Sequence, residues 1–283
     1  MSSPVEPHDW PQLGAREFDQ IRRLMETQTG VHLTEAKSAL VMARLGRRLR
    51  ELRLRTYREY LEHLAAHAAE TEHLIDRLLT NETRLFREGW QFDYLDRTII
   101  PLWRHQIRAR PHSALSIWSA ACSTGEEPAS LAAAVEHRLP SFEGYRVNIL
   151  ATDLSTRALL AARALTFSTS RAADIPGTLQ RHFEDAGAEK IRLSAAAAKL
   201  IRFEKMNLLA PSVPAAPFDL ILCRNVLIYF SKETKRAVID RLWRALKPGG
   251  FLFVGHAESL VGLIDGLRPV KPAIYRKPEA ATR

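Results

Sequence analysis

The sequence predicts an α/β protein: a mostly parallel sheet with helices on both faces, preceded by a wholly helical segment and interrupted by a small antiparallel insert. Three observations carry the prediction. Residues 12–79 show apolar spacing of helical period only. From about residue 113, short apolar runs alternate with amphipathic ones, the mark of βαβ units and a parallel sheet covered on both sides. Between residues 170 and 205 that rhythm breaks, and two short runs there read as strands of the insert.

A chain of 283 residues has room for about two domains, taken as 1–79 and 80–283, and for a core that needs no staples. Hydrophobic residues make up 46% and charged residues 26%, ordinary globular values that exclude wholesale disorder. Cys122 and Cys223 cannot build a disulfide framework, and no CxxC pair offers a zinc site, so no metal is expected. Both cysteines are expected to be small buried apolar residues. No apolar run approaches the roughly 18 residues needed to cross a bilayer. The first ten residues lack the basic start and apolar stretch of a signal peptide. The chain is therefore expected to be cytoplasmic and reduced. Lys and Arg number 41 against 32 Asp and Glu, a net +9. That excess favours an acidic partner, whether nucleic acid, an anionic membrane surface or an acidic protein surface.

Thr34 opens a helix on which Val41, Leu45, Leu49 and Leu52 form one stripe. Thr56-Tyr-Arg-Glu59 is a capping-box pattern and opens a second helix, through Tyr60, Leu61 and Leu64. Leu74, Ile75, Leu78 and Leu79 form a third apolar face. The first strand is Leu115–Ala120, running into Ala121-Cys-Ser-Thr-Gly125 and a helix from about Glu126 to Leu139. A second strand, Tyr145–Thr152, ends on Asp153, and Ser155 caps the helix through Leu159, Leu160 and Ala164. Phe218–Cys223 is a third strand. A helix over Thr234–Leu246 is stopped by Lys247-Pro-Gly-Gly250, and Phe251–Gly255 is a further strand. Ile191–Leu193 and Leu200–Phe203 are the two strands of the insert, and the tail beyond Pro278 is expected to fray.

The first strand–loop–helix unit has the features of a nucleoside site. Ligands of open α/β sheets bind beyond the carboxyl ends of the strands, and a loop of small residues such as Ala120–Gly125 lets the backbone come close. Glu126 and Glu127 follow in place of a basic phosphate-binding ending. A Glu there suits the helix dipole but repels phosphate, so a neutral or cationic ligand is indicated. Asp153 stands where an acidic residue can accept hydrogen bonds from ribose hydroxyls. Adenine, ribose and a positive charge without phosphate describe S-adenosylmethionine. A merely capped helix at Glu126 and a turn aspartate at 153 would account for the same residues.

Five segments go further: Thr80-Asn-Glu-Thr-Arg-Leu-Phe-Arg-Glu88, Trp118-Ser-Ala-Ala-Cys-Ser-Thr-Gly-Glu-Glu-Pro128, Met206-Asn-Leu-Leu209, Cys223-Arg-Asn-Val-Leu-Ile-Tyr-Phe230 and Leu246–Ser259. In these the chain resembles the chemoreceptor glutamate methyltransferases of the CheR type, over nearly its whole length. The resemblance implies a class I methyltransferase domain, Rossmann-like and doubly wound, with an all-helical N-terminal domain and a small antiparallel β-subdomain insert at about 170–205. It implies transfer of a methyl group from S-adenosylmethionine to receptor glutamates, giving methyl esters and S-adenosylhomocysteine in sensory adaptation. An ionised glutamate, with a pKa near about 4.3, is already a nucleophile at neutral pH. Alignment and removal of water then carry the reaction, with no strong general base.

Arg87, Arg224 and Tyr229 match the family's arginine and tyrosine positions and are the candidates for holding the reacting carboxylate. The plainer account makes Arg87 a surface salt bridge with a neighbour such as Glu88, and Tyr229 a packed aromatic beside Phe230. For the cofactor, the resemblance points to Asn81, Thr83, Arg87, Glu127 and Asp153, to Asn207 and Leu208 near the adenine, and to Arg224 and Asn225. Glu127 would meet the methionyl ammonium or a ribose hydroxyl, with Glu126 competing for the role.

Arg44, Arg47 and Arg48 lie on one side of the helix after Thr34, away from its apolar stripe. They are expected to face the acidic methylation helices of the receptor, and their joint replacement by Ala is expected to preserve the helix. A solvated charged face is the plainer account. The resemblance departs from its pattern at Glu184–Lys190, a short stretch with one Gly where some members have a Gly-rich hairpin that holds a receptor tether, so tether binding is not carried over. A monomer is expected, with neither nucleic acid bound nor membrane entered. The competing readings are a methyltransferase of the same fold acting on RNA or another substrate, for which no RNA-binding module is present, and a non-catalytic sensor of S-adenosylmethionine.

Overall fold

The computed structural model describes residues 11–109, 113–210, 214, 217–263, 267 and 269–279. The expectations that the first ten residues form no signal peptide and that the tail beyond Pro278 frays fall mainly on residues 1–10 and 280–283, outside the described residues. The chain divides into two compact units. One comprises the residues up to Thr80 together with Tyr229–Ser231, and the other comprises Asn81–Ile228 and Lys232–Arg283.

The first unit holds α1 (Ala15–Thr29), α2 (Ser38–Glu51), α3 (Tyr57–Ala66) and α4 (Ala68–Leu78). The stripe Val41, Leu45 and Leu49 is fully buried. Leu52 falls just past the end of α2 and is only partly covered. Thr56 caps α3, its Oγ1 accepting from Glu59 N at 3.2 Å. The Glu59 carboxylate accepts from Arg55 N, one residue earlier than a reciprocal capping box requires. A buried ion pair ties the helices together. Arg48 donates to Glu70 at 2.9 and 2.6 Å, and Tyr60 donates to the same carboxylate at 3.1 Å. Burial raises the Glu70 carboxyl, but these two donors outweigh it and hold the group below its ordinary value. Arg44 donates to the carbonyls of Leu78 and Leu79, satisfying acceptors that the end of α4 leaves open. An isolated bridge joins Val31 to Phe230, and His32 N donates to Tyr229 O at 2.8 Å. Helical periodicity alone gave no sign of that bridge.

In the second unit, α5 (Gly89–Tyr94) continues through a π-turn over Leu95–Ile99 into α6 (Ile100–Ala109). There follow β1 (Ala114–Ala120), α7 (Glu126–Arg138), β2 (Arg146–Asp153), α8 (Thr156–Arg163), β3 (Thr166–Ser168), β4 (Phe183–Gly187), β5 (Lys190–Leu193), α9 (Ala195–Ala198) and β6 (Ile201–Lys205). The last elements are β7 (Phe218–Cys223), α10 (Lys232–Ala245), β8 (Leu246–Val254), β9 (Pro269–Lys271) and β10 (Ile274–Arg276). The main sheet runs β6-β2-β1-β7-β8-β10-β9. Its first five strands are parallel, while β10 and β9 add antiparallel at one edge. Ile117, Leu220 and Phe253 belong to one continuous core with Leu131 and Val135 of α7.

Two expectations need correction. The insert is a three-stranded antiparallel sheet, β3-β5-β4, while the Leu200–Phe203 run belongs to β6, which pairs parallel with β2 at the edge of the main sheet. A short apolar run fits either sheet, and only the pairing decides. The Glu184–Lys190 stretch is mostly strand β4, closed by a turn in which Gly187, Ala188 and Glu189 all have positive φ. Secondly, Lys247-Pro-Gly-Gly250 does not stand between helix and strand. It lies inside β8, where the register against β7 shifts between Phe218 and Leu220, as a bulge does. Gly250 belongs there because a Cβ would come within 2.9 Å of the Lys247 carbonyl oxygen.

Candidate active site

Strand order reverses at β1, which has β2 on one side and β7 on the other. The loops leaving β1 and β7 therefore open a crevice at their carboxyl ends. The β1 loop is unusually contorted: Ala121, Ser123 and Gly125 have φ of 68, 51 and 95°. Non-glycine residues in that region cost about 1–3 kcal/mol each and persist where the surroundings over-determine them. Asp153 supplies the constraint. Its Oδ2 accepts from Ser123 N at 2.8 Å and its Oδ1 from Ser155 N at 2.9 Å. Cys122 N donates to Thr152 O at 2.9 Å, and Ser123 Oγ donates to Asn81 O at 3.0 Å. At Gly125 a Cβ would stand 2.9 Å from Ala162 Cα, so only glycine lets α8 approach.

Arg224 is the centre of the second loop. Its side chain is 2% exposed and lies 3.2 Å from Glu127 Oε2 and 3.3 Å from Glu88 Oε2. It also donates to the Arg87 carbonyl and lies over the Phe92 ring. Glu127 in addition accepts from Ser119 Oγ at 2.7 Å. Burial pushes the Glu127 carboxyl up, against the pull of Arg224 and Ser119. Glu126 is engaged differently, accepting from Thr124 Oγ1 at 2.6 Å. Of the two, Glu127 is thus the one joined to Arg224.

Two residues that the sequence reading left without a role organise this loop. Glu258, 3% exposed, accepts from the backbone N–H groups of Gly255, Asn225 and Ile228 at 2.7, 2.8 and 3.1 Å. It thereby fixes Asn225 in a left-handed conformation, φ 58°. Glu88, which entered only as a salt-bridge neighbour in the plainer account of Arg87, pairs with Arg224 and accepts from Asn225 Nδ2 and His256 N. Both lie inside segments that carry the family resemblance, Thr80–Glu88 and Leu246–Ser259. Arg87 donates to the Glu82 carbonyl at 3.1 Å, and Thr83 O accepts from Arg171. Asn207 folds its own turn, its Oδ1 accepting from Leu209 N at 2.9 Å, and Leu208 O accepts from Arg241. Tyr229 belongs to the first unit, where the Lys37 ammonium lies 5.1 Å from its ring centroid.

The chain matches the family description "CheR methyltransferase, SAM binding domain" over residues 81–275 and "CheR methyltransferase, all-alpha domain" over residues 16–79. The chain belongs to the CheR methyltransferase family. It is 38% identical over 264 residues to chemotaxis protein methyltransferase 2 of Pseudomonas aeruginosa, covering 92% of each chain. It is 32% identical to the chemotaxis protein methyltransferase of Borreliella burgdorferi, over 92% of this chain and 94% of that one. It is 35% identical to chemotaxis protein methyltransferase 1 of Pseudomonas aeruginosa, over 92% and 97%. This CheR protein is accordingly an S-adenosylmethionine-dependent methyltransferase of the chemotaxis type. The carboxylates of Glu88, Glu127 and Asp153 stand around this crevice, the first two sharing Arg224, and no basic residue stands in the Ala121–Gly125 loop to cradle phosphate. Among the described residues no helix is long and apolar enough to cross a membrane.

The arginines of α2 divide. Arg44 and Arg48 are spent inside the first unit, on the α4 carbonyls and on Glu70, because their spacing of four turns them toward α4. Arg47 alone of the three is exposed. The expectation that all three form one free face is corrected accordingly. So is the expectation that their joint replacement by Ala preserves the helix undisturbed, since Glu70 would be left buried without the cation of Arg48.

Proposed function

We propose that this CheR protein methylates glutamate side chains on the acidic cytoplasmic helices of chemoreceptors, working as a cytoplasmic monomer. Family membership supports the reaction. The observation that supports its placement is the buried Arg224, shared by Glu88 and Glu127 at the mouth of the β1–β7 crevice. S-adenosylmethionine supplies an electrophilic methyl group on a sulfonium. In this reading Asp153 meets the ribose, while Glu127 meets the methionyl ammonium or a ribose hydroxyl. Asn207 and Leu208 flank the adenine, and Asn81, Thr83, Arg87, Arg224 and Asn225 complete the cofactor site. Arg87, Arg224 and Tyr229 orient the receptor carboxylate, which is already ionised at neutral pH. Residues 1–79 dock the receptor through the exposed Arg47, with Arg44 and Arg48 shaping the helix pair beneath it. Residues 80–283 carry the chemistry.

The test is incubation with methyl-labelled S-adenosylmethionine and purified receptor cytoplasmic fragments. Base-labile label on receptor glutamates is expected. Base-stable label, or label on RNA in place of receptor, would overturn the reading in favour of another substrate on the same fold.

A further inference from the structure

A cavity of about 550 Å³ opens at the carbonyl end of α7. It is walled by Arg104, Arg138 and Arg181, by His137 and His182, and by Ser194. The 13 residues of α7 separate it from the Gly125 loop, which at about 1.5 Å per residue is roughly 20 Å. We infer that this cavity binds a phosphate-bearing small molecule, at a site distinct from the methyl-transfer crevice.

Charge and unmet hydrogen bonding support the inference together. Arg138 is held by Asp96 at 2.5 and 2.7 Å. Glu136 on the wall accepts from Ser141 N and Oγ, and Glu143 is exposed. Arg104 and Arg181, by contrast, have no carboxylate partner among the described residues, although Arg181 donates to His137 Nδ1 at 3.0 Å. Three polar atoms of the wall are buried without a hydrogen-bond partner: Arg104 Nε, His182 Nε2 and Ser194 Oγ. Such groups are rare in native proteins and each calls for a reason. Each belongs to a residue that lines the cavity.

Their number and spread set the ligand class. Two guanidinium groups, an imidazole and a hydroxyl come from three separate segments, more donors in more directions than a carboxylate's two oxygens can use. A tetrahedral oxyanion suits them, and guanidinium forks match phosphate well. Both imidazoles are held below their ordinary pKa, first by burial and then by Arg181. The carbonyl end of α7 is partly negative, which His137 and Arg138 in its last turn offset. The volume lies within the range of small-molecule sites and exceeds what one phosphate fills. Pro140, Ala196 and the edge-to-face His137–His182 pair, 5.6 Å between centroids, offer the rest of a ligand an apolar wall.

The test is isothermal titration of the full chain, saturated with S-adenosylhomocysteine so that the crevice is occupied. Pyrophosphate, ADP and sulfate are the probes. One pyrophosphate per chain is expected, weakened about tenfold or more in Arg181→Gln and in Arg104→Gln. ADP binding tighter than pyrophosphate identifies a nucleotide as the source of the phosphate, and the reverse order a phosphate compound without a base. No binding at millimolar pyrophosphate, sulfate binding equally well, or affinities unchanged in both variants would overturn the inference.

Discussion

Asp153 shows how one carboxylate serves two ends. Read from sequence, it is a ribose acceptor. In the structure it also pins Ser123 N and Ser155 N, and so shapes the loop that the cofactor must approach. Asp153→Ala should therefore weaken S-adenosylmethionine binding by at least the about 1.5–3 kcal/mol of a hydrogen bond to a charged group. It should also lower thermal stability, because Ala121 and Ser123 lose what holds them in left-handed backbone. Calorimetry and a melting curve on the same sample check both. Unchanged affinity in a folded variant removes Asp153 from the site. The aspartate was legible because its place after a strand is informative, whereas its backbone partners were not, since a bond to an N–H leaves no trace in residue type. Glu258 is the stronger case. Nothing in the letters His-Ala-Glu-Ser259 says that the carboxylate turns back on Gly255 and on the loop after β7.

The pair Arg48–Glu70 joins α2 to α4, and its strength belongs to those elements together. In the wild type, Glu70 is held below its ordinary pKa. A group depressed in the folded state stabilises above its unfolded pKa, near about 4.3, and that contribution is lost as pH falls through the folded value. Arg48→Met inverts the situation. It leaves a carboxylate that is 3% exposed without its cation, at a cost of about 3–5 kcal/mol near neutral pH. Burial then raises the Glu70 pKa, so the variant's deficit should shrink as the solution is acidified toward pH of about 5. Urea denaturation of both proteins across that range decides the matter, and a deficit independent of pH would show that Arg48 acts by packing alone. The elements themselves were largely legible, because helical stripes and strand ends are local patterns. Sheet membership was not: Leu200–Phe203 reads as a strand in any setting, and its partner β2 is set by a crossover that no local pattern encodes.

For the molecule as a whole, a net +9 is a long-range property that individual contacts do not exhaust. Arg47→Ala removes one exposed charge and no internal partner, so folding and cofactor affinity should be unchanged. Receptor methylation should slow at low ionic strength, and the difference from wild type should fade as salt screens the encounter. Initial rates over a salt series with one receptor fragment check this, and equal rates at low salt would move the docking surface elsewhere.

Cys122 and Cys223 sit at the carboxyl ends of β1 and β7, both buried and both unpaired. Burial first, and neighbouring carboxylates after it, push both thiols well above their ordinary pKa. Thiolate, the reactive form, is therefore scarce while the strand ends stay closed. Alkylating reagents and oxidants can act on these sulfurs only in moments when the ends come apart. The two cysteines thus make the chain its own stopwatch: the rate at which they are labelled counts openings of the crevice, and any ligand that closes it slows the count.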